Sequence, residues 1–209
     1  VITAFDTAHD RTGPSRDSAG PLRSAIVHPA PVTIRPITAS DLPRILEINE
    51  ANVPEVGSVD AARLEFIVAE SPIALTVEAD RRVVGFCLVL GSDSAYDSVN
   101  YRWFGDRYDD FMYLDRVAFD AASRGHGLGT ALYAEVDRLM IERGDSHLAL
   151  EVNVDPPNEG SLRFHARLGF VEVGQQDTPY GIRVSMQMRP VTTSRLSTPP
   201  PPNSEPSSR

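Results

Sequence analysis

The residues Arg124-Gly125-His126-Gly127-Leu128-Gly129-Thr130 place glycine at every second position. Such a loop carries almost no side-chain bulk, and its backbone N–H groups can turn toward one point. An alternating strand over residues 112–119 leads into it, and an amphipathic helix follows from about residue 127 to about residue 142. The start of that helix adds unpaired N–H donors and partial positive charge. Together these features form a cradle for an anion, above all a diphosphate. The plain alternative is a Gly-rich turn that binds nothing. Two other phosphate loops do not fit. A Walker loop ends in G-K-[ST], and this chain contains no Lys. A Rossmann fingerprint needs G-x-G-x-x-G near the start of a βαβ unit; here Thr130 takes the place of the last glycine and the loop lies in the second half of the chain.

A second segment completes the pattern. After a strand over residues 147–154 comes Asn158-Glu159-Gly160-Ser161-Leu162-Arg163-Phe164-His165-Ala166-Arg167-Leu168-Gly169-Phe170. The order strand, R-G-x-G-x-G, helix, strand, N-x-x-[small]-x-x-[aromatic]-x-x-x-G-F resembles the acetyl-CoA-binding half of the GNAT N-acetyltransferase superfamily. The likeness runs over roughly residues 33–189, and two motifs in the right order make it specific. Several further segments are similar to a branch of predicted GNAT acetyltransferases. The resemblance implies a mixed α/β GNAT fold: a central, mostly antiparallel sheet with a splayed strand pair and helices on both faces. It implies acetyl-CoA as cosubstrate, and cofactor contacts from Val117, Ala118, Arg124, Gly125, His126, Gly127, Leu128, Gly129, Thr130, Asn158 and Ser161. In that fold the strand holding Val117 and Ala118 splays from its neighbour, and its backbone N–H groups polarise the acetyl carbonyl.

Acyl transfer to an amine also needs a base for the ammonium proton and an acid for the departing thiolate. Asp115 and Glu151 are the candidate bases. Strand alternation puts Asp115 on one face with Tyr113 and Val117, and Glu151 on one face with Asn153. A carboxylate inside a core strand is costly unless paired or useful. For Asp115 the structural alternative is an ion pair with Arg116 or Arg163; for Glu151 it is a hydrogen-bond anchor. His165 stands where family members often carry Tyr, and is the candidate acid, with cofactor contact or simple space filling as alternatives. Tyr113 could orient substrate, and Tyr133 is a second donor or a packing residue. Asn158 could bond the pantetheine arm or cap the helix it begins. Cys87, in an apolar strand, reads as a buried structural thiol. The His residues show no metal-ligand spacing, so no metal is expected.

The elements that must position these groups alternate. A strand over 33–37 precedes a helix over about 41–51, with Ser40 as its N-cap and Pro43 in its first turn. A second helix spans 59–70, and strands over 73–79 and 83–90 form a hairpin around Asp80-Arg81-Arg82. Residues 91–110 read as a long loop holding Tyr96, Tyr101, Trp103, Phe104 and Tyr108 among five Asp residues. Aromatic faces beside carboxylates suit an ammonium ligand; packing over the sheet is the alternative. Strands over 170–174 and 184–188 close the sheet.

Length and composition bound the rest. The chain has 209 residues and 41% hydrophobic content, which suits one catalytic domain over 32–190 with polar tails over 1–31 and 191–209, both expected to be disordered. No apolar run approaches the ~20 residues of a membrane span, and no h-region marks a signal peptide. One cysteine excludes an internal disulfide and fits a reducing cytoplasm. The net charge of −9 argues against nonspecific nucleic-acid or anionic-membrane binding. The expected partner is a small-molecule amine. A peptide or protein N-terminus is the rival acceptor, and a non-catalytic acyl-CoA sensor is the rival class. A homodimer is compatible with the sequence, but nothing in it points to one.

Overall fold

A computed structural model of the chain describes residues 32–192. The terminal tails expected over 1–31 and 191–209 fall outside these residues, apart from Val191 and Thr192. The described elements are β1 (Val32–Pro36), α1 (Leu42–Glu50), α2 (Ala61–Glu70), β2 (Ile73–Ala79), β3 (Arg82–Gly91), α3 (Val99–Gly105), β4 (Met112–Phe119), α4 (Leu128–Arg143), β5 (His147–Asp155), α5 (Glu159–Arg167), β6 (Val171–Asp177) and β7 (Arg183–Pro190).

The strands form one seven-stranded sheet in the order β1-β2-β3-β4-β5-β7-β6. Every pair is antiparallel except β4 and β5, which run parallel. Local chemistry explains the joints. Asp80 and Arg81 both take positive φ, 52° and 60°, so β2 and β3 are closed by a two-residue turn whose twist matches the strands. Asp60 caps α2 by accepting from the Arg63 N–H at 2.7 Å. At α1 the expected Ser40 cap is replaced. Residues Ala39–Asp41 form a 3₁₀ turn, and the Asp41 carboxylate accepts from the Thr38 N–H at 2.8 Å.

The sheet separates two cores, with helices on both faces. On one face α4 and α5 bring Leu132, Tyr133, Val136, Met140 and Phe164 against Cys87, Leu114, Val117, Leu150 and Val152. On the other, α1, α2 and α3 bring Ile45, Ile48, Leu64, Ile67, Tyr101 and Phe104 against Phe86, Leu88, Tyr113 and Met186. This is the mixed α/β architecture that the motifs imply. Among the described residues no helix is long and apolar enough to cross a membrane.

The segment expected as a loop over 91–110 contains α3. The Ser98 side chain caps it, accepting from the Asn100 N–H at 3.3 Å. Tyr101 and Phe104, three residues apart, share its buried face. Their rings lie 5.4 Å and 5.9 Å from the Tyr113 ring. Trp103 meanwhile covers Gly174 of β6. A seven-residue helix carries too few periods to show as a pattern, and aromatic packing holds it instead.

Gly85 of β3 is required by a close approach. It lies opposite Phe119 of β4, and a Cβ there would meet the ring at 2.3 Å. Gly85→Ala is expected to cost about 1–3 kcal/mol through overpacking. Urea or thermal unfolding checks this; an unchanged midpoint would show that the ring moves aside freely.

Candidate active site

The cradle begins where β4 ends. A 3₁₀ turn over Ala121–Ser123 leads into Arg124, which is extended. Gly125 and Gly127 both have φ of 77°, a left-handed conformation that favours glycine. Gly127 is the N-cap of α4 and bears no capping side chain, so the N–H groups at the start of the helix have no side-chain acceptor there. A Cβ at either glycine would meet nothing within 4 Å, so the space over the loop is open. His126 and Thr130 are exposed beside it. The Arg124 guanidinium turns away and donates to Asn52 Oδ1 at 2.5 Å. Backbone donors, helix terminus and open space together fit a diphosphate.

Next to the cradle, the sheet opens. Strands β4 and β5 pair only at Met112–Leu148 and Tyr113–Ala149, at their first residues, and the ladder ends there. Val117 and Ala118 lie on the diverging part of β4, opposite Cys87 and Phe86 of β3. A bulge adds to the opening. Leu114 pairs with Val89 and Arg116 with Leu88, so Asp115 is an extra residue. The bulge reverses the alternation. Tyr113 and Ala118 face α1 and α2, while Leu114 and Val117 face α4. The face expected to be shared by Tyr113, Asp115 and Val117 therefore breaks: Val117 looks the other way. A bulge leaves no mark on apolar alternation, and strict period two misplaces every residue beyond it.

On the α1–α3 face a buried polar cluster surrounds the mouth of the splay. Glu151 of β5 is 2% exposed. Its Oε2 accepts from the Tyr113 hydroxyl at 2.6 Å and its Oε1 from Asn100 Nδ2 at 3.1 Å. Asn100 Oδ1 in turn accepts from Gln176 Nε2 at 2.7 Å, and Asn100 Nδ2 lies 3.5 Å from the Tyr180 hydroxyl. The cluster thus spans α3, β4, β5 and the β6–β7 hairpin. Burial, helped by the Glu151 and Asp115 charges, pushes the Tyr113 phenol far above its ordinary range, so it stays a donor. Asp115 is bound to Arg116, whose Nε donates at 2.6 Å. Burial alone would raise its carboxyl, but Arg116 and the Tyr96 hydroxyl outweigh it and hold it below the ordinary carboxylate range. Arg116 is fixed from behind by Asn49 Oδ1 at 2.9 Å.

The end of α1 and the turn that follows it thus touch both halves of the site. Asn49 holds Arg116, and Asn52 holds Arg124 while its Nδ2 donates to the carbonyls of Ile48 and Phe119. Both Asn side chains are buried.

A family model described as the acetyltransferase (GNAT) family matches residues 42–170, which run from the first residue of α1 to the residue before β6. The chain belongs to this family. Solved structures of the GNAT type share its fold. Ard1 from Thermoplasma volcanium superposes with a TM-score of 0.63 at 22% identity, covering 77% of this chain and 98% of that one. The ribosomal-protein-S18-alanine N-acetyltransferase from Escherichia coli gives 0.59 at 18%, covering 78% and 95%. YncA, a putative acetyltransferase from Salmonella typhimurium with acetyl-CoA, gives 0.59 at 20%, covering 83% and 100%. No curated protein matches the chain.

In this GNAT domain the second motif lies on the other face. Asn158 caps α5, its Oδ1 accepting from the Ser161 N–H at 3.1 Å. His165 is fully buried among Tyr133, Phe164 and Phe170. Its Nδ1 lies 2.7 Å from the Ser161 carbonyl oxygen. A carbonyl only accepts, so Nδ1 carries the proton, and Nε2 accepts from the Tyr133 hydroxyl at 2.7 Å. Burial pushes the imidazole down to about 3; the Arg189 charge adds to this and the Ser161 carbonyl opposes it. The ring is neutral at neutral pH, with both nitrogens engaged.

The sequence reading did not single out Asn100, Gln176 and Tyr180. The one available signal was an amide within an aromatic-rich segment, which says nothing about what it meets 51 or 76 positions away.

His165 makes stability depend on pH. Its folded pKa of about 3 lies below the unfolded value of about 6.5, so below pH 6.5 the unfolded chain binds more protons. The stabilisation is complete above pH 6.5 and is lost as pH falls toward 3, by up to about 1.4 kcal/mol per unit. His165→Gln is expected to show a shallower loss between pH 7 and 4.5 in urea unfolding. Parallel curves for the two proteins would overturn this assignment.

Proposed function

We propose that this GNAT enzyme moves the acetyl group of acetyl-CoA to the primary amine of a small molecule, by direct transfer in a ternary complex. The chain is an acetyl-CoA-dependent N-acetyltransferase by family. The observation that carries the finer reading is Glu151, a buried carboxylate beside the splay and held by two donors.

In this reading residues 124–130 hold the diphosphate through backbone donors, and Asn158 and Ser161 border the pantetheine arm. Val117 and Ala118 lie where the opened edge of β4 can polarise the thioester carbonyl. Glu151 takes the proton of the amine, directly or through one water, as the nitrogen attacks. A C–N bond forms and the C–S bond breaks. The electron pair leaves with the thiolate, which takes a proton from solvent in the cleft. Asp115, already neutralised by Arg116, shapes the field around the amine and is the weaker base. His165 orients Tyr133 at the cofactor side, since its neutral ring has no imidazolium proton to give.

A small acceptor is favoured because α3 is latched to the β6–β7 hairpin through Asn100, Gln176 and Tyr180, narrowing the acceptor face. Solved structures of the same fold include a ribosomal-protein-S18-alanine N-acetyltransferase and the NatC complex bound to Gag peptide and CoA, so peptides belong in the test. We place the catalytic domain at residues 32–190 and the enzyme in a reducing cytoplasm.

CoA-thiol release from acetyl-CoA, with mass spectrometry of the product, tests the reading across small amines and peptide N-termini. Turnover on a small amine is expected. Turnover confined to peptides would overturn the acceptor class. Tight acetyl-CoA binding without turnover on any amine would point to a sensor.

A further inference from the structure

We infer that the cleft beside Asn153 receives a second positive charge on the acceptor, which makes short diamines the preferred substrates. This rests on the acetyl-transfer reading above and names the substrate class of that same site.

A cleft of about 420 Å³ lies between Pro54 and Glu55, in the connection from α1 to α2, and residues 153–160 after the middle of β5. That size suits a small ligand. The connection reaches the acceptor face: the Gly57 carbonyl accepts from Asn49 and from Arg116. Asn153 stands two residues beyond Glu151 on β5, so the two side chains share a face about 7 Å apart.

Asn153 is 6% exposed, and its Oδ1 is buried with no hydrogen-bond partner among the described residues. A buried acceptor without a donor is rare and calls for one. No lining group meets it: Pro54, Pro156 and Pro157 have no N–H, and Asn158, which caps α5 on the side of the pantetheine arm, makes no bond to it. The cleft's charged lining residues are both acidic. Glu159 is paired with Arg163, whereas Glu55 makes no ion pair among the described residues. An unmet acceptor beside an unpaired carboxylate, with three prolines to pack on, selects a cationic donor on a short methylene chain. With one amine at Glu151, a chain of four methylenes places the second ammonium at Asn153 and Glu55.

The test compares 1,4-diaminobutane with butylamine in two assays on the full chain. One is acetyl transfer from acetyl-CoA, and the other is calorimetric titration of protein saturated with CoA. The wild type is expected to favour the diamine about tenfold in kcat/KM and in affinity, the value of roughly one charged hydrogen bond. Asn153→Leu is expected to erase that preference while leaving butylamine turnover and acetyl-CoA affinity unchanged. Asn153→Asp, which keeps the shape and adds charge, is expected to increase it. Equal handling of both amines by the wild type would overturn the inference. So would an Asn153→Leu defect confined to acetyl-CoA affinity, since the donor would then be a pantetheine amide. Diamine binding without turnover would uphold the cleft and sink the transferase reading, whereas turnover of both amines alike would do the reverse.

Discussion

Glu151→Gln is expected to lower kcat by about 10²–10⁴, the usual contribution of a general base, while acetyl-CoA affinity stays unchanged. The substitution isolates the chemistry because it preserves shape. Glutamine's oxygen can still accept from Asn100, and the Tyr113 hydroxyl can turn to accept from the new amide. Asn100 and Tyr113 each keep a hydrogen bond to residue 151, so the fold should hold. What disappears is the capacity to take a proton. The measurement is CoA-thiol release at saturating acetyl-CoA and amine, beside calorimetric titration of acetyl-CoA. A kcat within threefold of wild type would remove Glu151 from the base role. Attention would then turn to Asp115, despite the guanidinium that holds its proton affinity low.

Gly127→Val is expected to weaken acetyl-CoA binding by about 100-fold, the loss of one or two charge-assisted hydrogen bonds at roughly 1.5–3 kcal/mol each. Two effects combine. At φ of 77° a β-branched side chain is strained by about 1–2 kcal/mol, so the loop shifts. The added carbons also enter the open space in front of the helix terminus. Strain alone could mimic this result, and Gly144 supplies the control. It ends α4 at the other end with φ of 86° and similarly open surroundings. Gly144→Val should lose comparable stability but bind acetyl-CoA normally. Equal binding losses in both variants would show that helix integrity, not the cradle, is being measured.

The legible parts of this molecule were those governed by neighbours in sequence. The strand over 112–119, the cradle glycines and the β2–β3 turn follow from alternation, backbone freedom and turn chemistry within a few residues. The paired role of Asp115 was also in view, since its partner Arg116 is adjacent. The illegible parts depend on contacts at long range. Helix α3 is held by rings on Phe111 and Tyr113 rather than by its own periodicity. The bulge at Asp115 exists because β3 and β4 pair on both sides of it, and only that pairing turns Val117 to the other core. The acceptor cluster draws on Asn100, Gln176 and Tyr180 from separate elements, and no local rule brings an amide in one helix to a carboxylate on a distant strand.

The junction at the end of α1 has a wider consequence. Asn49, in the last turn of α1, grips the acceptor side, and Asn52, in the turn that follows the helix, grips the cradle; the Asn52 N–H donates to the Asn49 carbonyl at 2.9 Å and ties the two together. The separation between the two substrates is therefore gauged by one hydrogen-bonded turn at the end of a helix, not by a slack loop. Damage at either asparagine should spoil the alignment of nucleophile and thioester together. The two lesions combined should cost little more than one, because a broken ruler cannot be broken twice.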